Sequence, residues 1–209
     1  MIEHLIFDFD GTIVDSYPHF VEFFYEVCKK NGVLVPYDRE AVYRTLKITV
    51  PEAYRMLHCE EKLSYEDFMH DFLALYNENH EKLEGFTQTL ALIRNAKDAG
   101  KRNYIYTHTG PIVKDVLARL GLLECFTFVL DASYPFPSKP APDALLFLAE
   151  HCGLDPKECI MIGDRPIDAH AGMNAGMIGF LWDEEGLYPN AEVDYHSKDI
   201  TDVAKIVGI

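Results

Sequence analysis

The sequence predicts an α/β fold: a doubly wound parallel sheet whose first strand is followed by an inserted all-helical segment. Residues 4–9 form an apolar run of strand length, and residues 16–84 carry only helical patterns. From residue 87 onward, short apolar runs alternate with helical patterns. Alternation of this kind indicates βαβ units, which build a parallel sheet with helices on both faces.

The first strand is predicted at His4–Phe9, a compact apolar run that closes on turn residues. Behind it the apolar spacing becomes i, i+3, i+4, i+7 and i+8, which is one face of a helix ending near Gly32. The apolar residues at these positions are Phe20, Phe23, Phe24, Val27 and Cys28.

Helix signals continue through the rest of the inserted segment. Asp38 is a suitable N-cap for a helix that runs through Leu46, and Pro51 suits the first turn of another helix. Ser64 with Asp67 resembles a capping box ahead of a further helix. The apolar residues of that helix are Phe68, Phe72, Leu75 and Tyr76.

After the inserted segment, each predicted helix ends at or just before a glycine, which is a common helix stop. These glycines are Gly100, Gly121, Gly153 and Gly176. The strands that alternate with these helices are predicted at Asn103–Thr107, Thr127–Leu130, Cys159–Gly163 and Ile178–Trp182. We therefore expect an α/β core domain of residues 1–15 and 85–209, with a helical domain of residues 16–84 inserted into it.

Composition narrows the class of function. The chain has 209 residues, of which 48% are hydrophobic, and a net charge of −15 that argues against nucleic acid or an anionic membrane as a partner. No apolar run has the length of a membrane span, and the N-terminus leads directly into a strand pattern. The five cysteines are scattered without a CxxC motif, as in reduced intracellular proteins. We expect a cytoplasmic protein without a signal peptide or anchor.

Carboxylates follow most of the predicted strands. In open parallel sheets the ligand crevice lies outside the carboxyl ends of the strands, so the residues just past each apolar run are the first candidates for a site. These residues are Asp8 with Asp10, Thr107 to Thr109, Asp131, and Gly163 with Asp164. Three of these four strand ends carry a carboxylate, and that convergence is the main signal in the sequence.

Asp8 and Asp10 can face the same site because alternate residues of a strand point to the same side. An isolated Asp10–Gly11 pair would more often be a simple turn. Here a third carboxylate, Asp164, follows another strand, and Asp168 comes about one helical turn later. Carboxylate oxygens gathered from different strands are the ligands that Mg²⁺ prefers, so the sequence predicts a magnesium site.

Two further residues complete the pattern. Lys139 would ordinarily be a solvated surface charge, but prolines on its C-terminal side, Pro140 and Pro142, stiffen the chain just before a helix. A cation fixed there could neutralise the carboxylates and bind a phosphate. Thr107, at a strand terminus, offers a hydroxyl, and the amides after it can bind an anion.

Together these segments resemble the four motifs of the haloacid dehalogenase superfamily, in order and over essentially the whole chain. DFDGTIVDS resembles motif I, Thr107 motif II, Lys139 motif III and GDRPID motif IV. The helical segment is similar to the C1 cap of the phosphoglycolate phosphatase and β-phosphoglucomutase branch. The resemblance implies a Rossmann-like core with a C1 cap. It also implies Mg²⁺-dependent hydrolysis of a small phosphorylated metabolite through an aspartyl-phosphate intermediate.

The resemblance also implies catalytic roles. Asp8 would be the nucleophile and Asp10 the general acid/base, and an aspartate at position 10 favours phosphoryl transfer over dehalogenase or phosphonatase chemistry. Thr107 and Lys139 would bind the phosphoryl group during catalysis. Residues implied to contribute to phosphate binding are Thr107, His108, Lys139 and Gly11.

The metal site is implied in the same way. Mg²⁺ would be held by the Asp8 carboxylate, the Asp10 main-chain carbonyl and Asp164, and Asp168 would support the site from behind the ligands. A divalent cation together with Lys139 would absorb the charge of an anionic nucleophile approaching a phosphate dianion.

Two other functions stay open at this stage. A β-phosphoglucomutase-like mutase typically carries a histidine in the first cap helix, but His19 lies about one residue too close to Asp10, and motif IV begins Gly-Asp instead of Glu-Asp. A non-catalytic binding or signalling module is the alternative from another class, although all four motifs are intact. The sequence favours the phosphatase. It leaves open the substrate, the cap residues that select it and the oligomeric state.

Overall fold

The computed structural model describes all residues 1–209, and the chain divides into two compact units. One unit contains Met1–Val14 and Gly85–Ile209, and the other contains Asp15–Glu84. The prediction placed the first boundary one residue later, after Asp15. None of the helices combines the length and the apolar character that a membrane span requires.

The first unit is built on a six-stranded sheet in the order β3-β2-β1-β4-β5-β6, with every neighbouring pair parallel. The strands are β1 His4–Phe7, β2 Arg102–Tyr106, β3 Phe126–Leu130, β4 Cys159–Gly163, β5 Ile178–Trp182 and β6 Tyr195–Ser197. All four residues of β1 are buried. A strand buried on both faces needs apolar residues in succession, which explains why the sequence shows runs here and not alternation.

The second unit is helical. Its helices are α1 Tyr17–Lys30, α2 Arg39–Ile48, α3 Val50–Arg55 and α4 Tyr65–Asn79. Aromatic rings of α1 and α4 form its core, with ring centroids 5.4 Å apart for Phe20 and Phe72 and 5.7 Å apart for Phe24 and Phe68. The helix caps predicted from the sequence are present: Asp38 accepts a hydrogen bond from the Ala41 N–H, and Ser64 accepts one from the Asp67 N–H.

Five helices belong to the first unit: α5 Thr87–Asp98, α6 Val113–Arg119, α7 Asp143–Cys152, α8 Pro166–Asn174 and α9 Asp202–Val207. Helix α8 lies so close to the sheet that glycine is required at the contacts. A Cβ on Gly172 would come within 2.6 Å of the Met161 Cβ, and one on Gly179 would come within 2.4 Å of the Ala169 carbonyl oxygen. These close approaches fix the position of the helix that begins just after Asp164.

The predicted fold class is confirmed, with some differences in detail. β1 ends at Phe7 and not at Phe9, because the Phe9 carbonyl already accepts the N–H groups of the following turn, residues 12–14. β6 and α9 were not predicted. β6 has only three residues, none of them buried, and α9 has only six, so neither presents an apolar pattern long enough to recognise.

Candidate active site

The carboxyl ends of three adjacent strands meet at one edge of the sheet. Phe7 of β1 pairs in register with Ile105 of β2 and with Ile162 of β4. Because these strands run parallel and in register, the residues that follow them lie side by side. The Asp8 N–H continues the ladder by donating to the Ile162 carbonyl at 2.8 Å. The predicted convergence of strand ends is therefore realised at β1, β2 and β4.

Lys139 lies at the centre of the candidate site with its side chain fully buried. Its Nζ donates to Asp8 Oδ1 at 2.6 Å, to Asp168 Oδ1 at 2.8 Å and to the Tyr106 carbonyl at 2.9 Å. These contacts use all three ammonium protons. The ammonium also lies 4.5 Å from the centroid of the Tyr106 ring. Lys139 is thus a fixed internal cation and not a solvated surface charge.

Lys139 affects the pKa values of its two carboxylate partners unequally. Burial alone would lower the pKa of Lys139, but Asp168 and Asp8 outweigh burial and raise it. Burial alone would raise the pKa of Asp168, but Lys139 and Arg165 outweigh it and lower that pKa. Burial raises the pKa of Asp8 to about 7, because the opposing effect of Lys139 is too small to cancel it. Asp8 is therefore the carboxylate whose negative charge is least compensated.

The donor set fits a divalent metal ion. Side-chain oxygens of Asp8, Asp164 and Asp168 lie within 4.8 Å of one another, and all three residues are buried. Asp8 Oδ2 is a buried oxygen without a hydrogen-bond partner, so it has a lone pair to offer to a cation. Both oxygens of Asp168 already accept hydrogen bonds, one from Lys139 Nζ and one from the Arg165 N–H at 3.1 Å. Hard carboxylate oxygens of this kind suit Mg²⁺.

The turn after β1 carries Asp10 to the same edge of the sheet. Gly11 adopts a φ of +77°, a conformation that a residue with a Cβ rarely adopts, and its N–H donates to the Val14 carbonyl at 2.8 Å. Gly11 was expected to contribute to phosphate binding; in this structure its N–H is engaged within the turn. Thr12 Oγ1 donates to Asp164 Oδ1 at 3.4 Å and so links the turn to β4. The Asp10 side chain is not part of the carboxylate cluster; its expected ligand atom is the main-chain carbonyl.

The segment after β2 supplies hydroxyl groups. Thr107 Oγ1 accepts the Thr109 N–H at 3.0 Å, which leaves the Thr107 hydroxyl proton for a donor role. The Thr109 hydroxyl donates to Asp10 Oδ2. From the sequence, Thr109 was a candidate only for its strand-end position, and this contact was not predicted. The signal was available, since alternate residues after a strand can face the same side.

His108 contacts Lys139 through its side chain. Its Nε2 accepts the Lys139 main-chain N–H at 3.3 Å, which requires the tautomer with the proton on Nδ1. Desolvation of the ring and the neighbouring Lys139 ammonium lower the pKa of His108 to about 4, so the ring is neutral at pH 7. From the sequence, only the main-chain amide of this residue was expected to contribute to anion binding.

Asp131, at the end of β3, does not join the carboxylate cluster. Its Oδ1 accepts the N–H of Ser133 at 2.9 Å and the hydroxyl of Ser133 at 2.5 Å, so it organises its own loop. A cavity of about 230 Å³ lies between this loop and the end of β2, with Thr107 and His108 in its wall. Of the three strand ends with carboxylates, two therefore contribute to the site and one does not.

A strand end that the sequence analysis passed over also carries a buried carboxylate. Asp183 follows β5 and accepts hydrogen bonds from the N–H groups of Leu187, at 2.7 Å, and Tyr188, at 3.0 Å. His196 Nε2 contacts it at 3.0 Å. Burial and the nearby Asp164 raise the pKa of Tyr188. Asp183 thus orders a loop whose tyrosine lies in the electrostatic field of the site.

Comparison with known proteins identifies the family. The family model of the haloacid dehalogenase-like hydrolases matches residues 5–180. The chain belongs to this family. One relative of this haloacid dehalogenase-like hydrolase is fructose-1-phosphate phosphatase YqaB of Escherichia coli. The two are 30% identical over 180 residues, which cover 83% of this chain and 92% of that protein. The chain is also 30% identical over 203 residues to the phosphoglycolate phosphatase of Vibrio vulnificus, covering 86% of this chain and 82% of the relative.

Solved structures of haloacid dehalogenase-like hydrolases share the fold over the full length. The crystal structure of a predicted phosphoglycolate phosphatase from Haemophilus somnus matches with a TM-score of 0.81 at 20% identity, covering 98% of this chain and 97% of that one. The family, the fold and the enzyme class predicted from the sequence are thereby confirmed. The chain is a phosphatase of the haloacid dehalogenase-like hydrolase family.

Proposed function

We propose that this phosphatase hydrolyses a small phosphate monoester with Mg²⁺ as cofactor, through an aspartyl-phosphate formed on Asp8. The observation that supports this most directly is the state of the Asp8 carboxylate. One of its oxygens is held by the Lys139 ammonium, and the other is buried without a partner beside Asp164 and Asp168. The names of the relatives, a fructose-1-phosphate phosphatase and a phosphoglycolate phosphatase, support a small phosphorylated metabolite as substrate.

In the first step an Asp8 oxygen attacks phosphorus, and the bond between phosphorus and the leaving oxygen breaks. Asp10 gives a proton to that oxygen, so the product leaves as a neutral alcohol. In the second step Asp10 takes a proton from water, the water oxygen attacks phosphorus, and the bond between phosphorus and Asp8 breaks. Inorganic phosphate leaves, and both aspartates return to their starting states.

Lys139 and Thr107 act on the phosphoryl group. Lys139 is held by Asp8 and Asp168 at 2.6 and 2.8 Å, so its charge is in place before substrate binds and need not be reorganised. The Thr107 hydroxyl donates to a phosphoryl oxygen, because its own oxygen already accepts the Thr109 N–H. Asp168 holds Lys139 in position with one oxygen and accepts the Arg165 N–H with the other.

The metal would be held by the carboxylates of Asp8 and Asp164 and by the main-chain carbonyl of Asp10. When bound, Mg²⁺ supplies the positive charge that reduces the repulsion between a carboxylate and a phosphate dianion. Two fixed cations, Lys139 and Arg165, face three carboxylates, those of Asp8, Asp164 and Asp168, so the donor set lacks positive charge without the metal.

The decisive test is the variant Asp8→Asn, which keeps the shape of the side chain and removes the nucleophile. We expect hydrolysis of para-nitrophenyl phosphate with Mg²⁺ to fall by at least about a thousandfold while the protein stays folded by circular dichroism. Asp131→Asn is the matched control, the same change at a strand end outside the cluster, and should keep wild-type activity. Unchanged hydrolysis by the Asp8→Asn variant would refute the proposal.

The same enzyme sample distinguishes the two alternatives. Incubation with a sugar 1-phosphate, followed by phosphorus NMR, yields free phosphate from a phosphatase and an isomeric sugar phosphate from a mutase. A binding module would leave every ester intact in a panel of phosphorylated metabolites. In that panel, the ester with the highest kcat/KM identifies the substrate class.

A further inference from the structure

We infer that Thr109 is a positioning residue: its hydroxyl orients the Asp10 carboxylate so that one defined oxygen exchanges the proton with the leaving group. This inference rests on the proposed function, because it concerns the general acid/base of that reaction. It assigns a side-chain role to a residue that was a candidate only for its place at a strand end, and the hydrogen bond to Asp10 lies within the first unit.

The Thr109 backbone is fixed at both of its polar groups. Its N–H donates to Thr107 Oγ1 at 3.0 Å, and its carbonyl accepts the Ala132 N–H at 3.0 Å. Threonine is β-branched, so few χ1 rotamers are open to it once the backbone is fixed. The hydroxyl oxygen therefore occupies a defined position between the ends of β1 and β2.

The carboxylate that receives this hydroxyl is on an equally constrained turn. Asp10 forms an isolated bridge with Val14, and the N–H groups of residues 12–14 all converge on the Phe9 carbonyl. With the turn held in this way, the remaining freedom of Asp10 is rotation of its side chain. The hydrogen bond from Thr109 to Oδ2 removes that freedom.

The contact also distinguishes the two oxygens of Asp10. A hydroxyl donor satisfies Oδ2 whether Asp10 is ionised or protonated, because the carbonyl oxygen of a carboxylic acid still accepts a hydrogen bond. As long as Thr109 donates to Oδ2, the proton of the acid form lies on Oδ1. In the transfer step the Oδ1–H bond breaks while an O–H bond forms on the departing alkoxide, and Oδ2 keeps its bond to Thr109 throughout.

The hydroxyl groups of Thr107 and Thr109 have different roles. A hydroxyl has a single proton, so the Thr109 group that donates to Asp10 cannot at the same time donate to a phosphoryl oxygen. The Thr107 hydroxyl keeps its proton for that purpose because its oxygen accepts the Thr109 N–H. One short segment thus serves both the phosphoryl group and the group that protonates its leaving oxygen.

The test compares esters that differ in their need for a general acid. Para-nitrophenolate is a weak base that leaves without protonation, whereas the phenolate from phenyl phosphate is a stronger base and benefits from it. In Thr109→Val a methyl group replaces the hydroxyl. We expect this variant to have a kcat/KM for phenyl phosphate that is lower by roughly tenfold to a hundredfold. The value for para-nitrophenyl phosphate should fall by less than about threefold. Thr109→Ser, which keeps the hydroxyl, should restore both values.

Asp10→Asn separates failure of this inference from failure of the proposed function. If Asp10→Asn reduces kcat/KM equally for both esters, Asp10 is not the general acid and the proposed function fails. If Asp10→Asn acts selectively on phenyl phosphate but Thr109→Val acts equally on both esters or on neither, only the inference about Thr109 fails. In the double variant, Thr109→Val should cause no loss beyond that of Asp10→Asn. Thr109→Ala gives the same comparison should the valine variant not fold.

Discussion

At the scale of single residues, buried carboxylates decide the local structure at three strand ends. Asp8 and Asp131 follow their strands in similar ways, yet one joins a charged cluster and the other caps its own loop. Asp183 holds the loop after β5 through two main-chain N–H groups and His196. The difference lies in the donors: Asp131 and Asp183 accept N–H groups from within five residues of their own positions, whereas Asp8 accepts from Lys139, 131 residues away.

Asp183 gives a pH-dependent prediction. Burial opposes its charge, but the N–H of Tyr188 and the contact with His196 outweigh burial and lower the pKa of Asp183. A lowered folded-state pKa contributes stability above the ordinary value of about 3.9, and that stability is lost as the pH falls through the lowered value. Asp183→Asn should therefore reduce the free energy of unfolding at pH 7 by about 1–3 kcal/mol. The deficit should shrink below about pH 4.

Urea unfolding at pH 7, 5 and 3.5 measures this difference. Glu184→Gln is the control, because the neighbouring side chain is exposed and the change should leave the free energy of unfolding nearly unaltered at every pH. A deficit in Asp183→Asn that stays constant on acidification would mean that the charge of Asp183 does not order the loop.

The sequence predicts the place of a residue in the site where a strand end or a motif marks that residue by itself. Asp8, Asp164 and Lys139 were candidates because strand ends and the motif resemblance mark them, and the structure brings all three to one edge of the sheet. The position of Thr109 at a strand end could be read from the sequence, but its contact with Asp10 and the contact of His196 with Asp183 were missed, because each depends on which groups the fold brings near. Pairing of this kind is tertiary information that no local pattern carries.

At the scale of elements, the close packing of α8 on the sheet positions part of the site. Gly163 ends β4, and a Cβ on it would come within 2.2 Å of the Asp168 Cβ in the first turn of α8. Because glycine has no side chain, position 163 leaves room for Asp168, whose carboxylate contacts Lys139.

Gly163→Ala should displace Asp168 and so disturb the ion pair with Lys139. We expect a loss of about 1–3 kcal/mol in the free energy of unfolding from overpacking. Activity toward para-nitrophenyl phosphate should fall by more than about tenfold, because the cation loses a partner that fixes it. Urea unfolding and steady-state kinetics measure the two effects.

Gly110→Ala is the matched control, since a Cβ there has no atom within 4 Å and the backbone φ is not in the left-handed region. It should leave stability within about 0.5 kcal/mol of wild type. If Gly163→Ala behaves like this control, the spacing between β4 and α8 does not position Asp168.

Elements were predictable from the sequence where they are long and periodic. Strands β1 to β5 show apolar runs, and helices α2 and α4 show their apolar periods and cap residues directly. The edge strand β6 was not predictable, because its three residues pair with β5 on one side only and none of them is buried. Edge strands depend on the neighbour they pair with more than on their own composition.

At the scale of the whole molecule, a chain of net charge −15 has to bind an anionic substrate. The positive charge at the site is local: Lys139 is buried there, and Arg165 lies 3.7 Å from Asp168. The proposed metal ion would add to this local charge and would also stabilise the folded state, since it would bind the folded protein in preference to the unfolded chain.

Added Mg²⁺ should therefore raise the melting temperature, and a chelator should reverse the shift. At a metal concentration of about one hundred times the Kd, the stabilisation is about 2.7 kcal/mol. Asp164→Asn should abolish the shift, whereas Asp131→Asn should keep it. Differential scanning fluorimetry measures this without reference to activity, and an equal shift in Asp164→Asn would place the metal elsewhere.

The order of the strands has a consequence for how the chain emerges from the ribosome. β1 is made first, yet its two neighbours in the sheet begin at Arg102 and Cys159. The residues from Asp15 to Glu84 can pack among themselves as soon as they are synthesised. The apolar segment that precedes them gains its first neighbour in the sheet only after Tyr106 has been made, and its second only after Gly163. We therefore expect early nascent chains to be the form in which this protein depends most on chaperones.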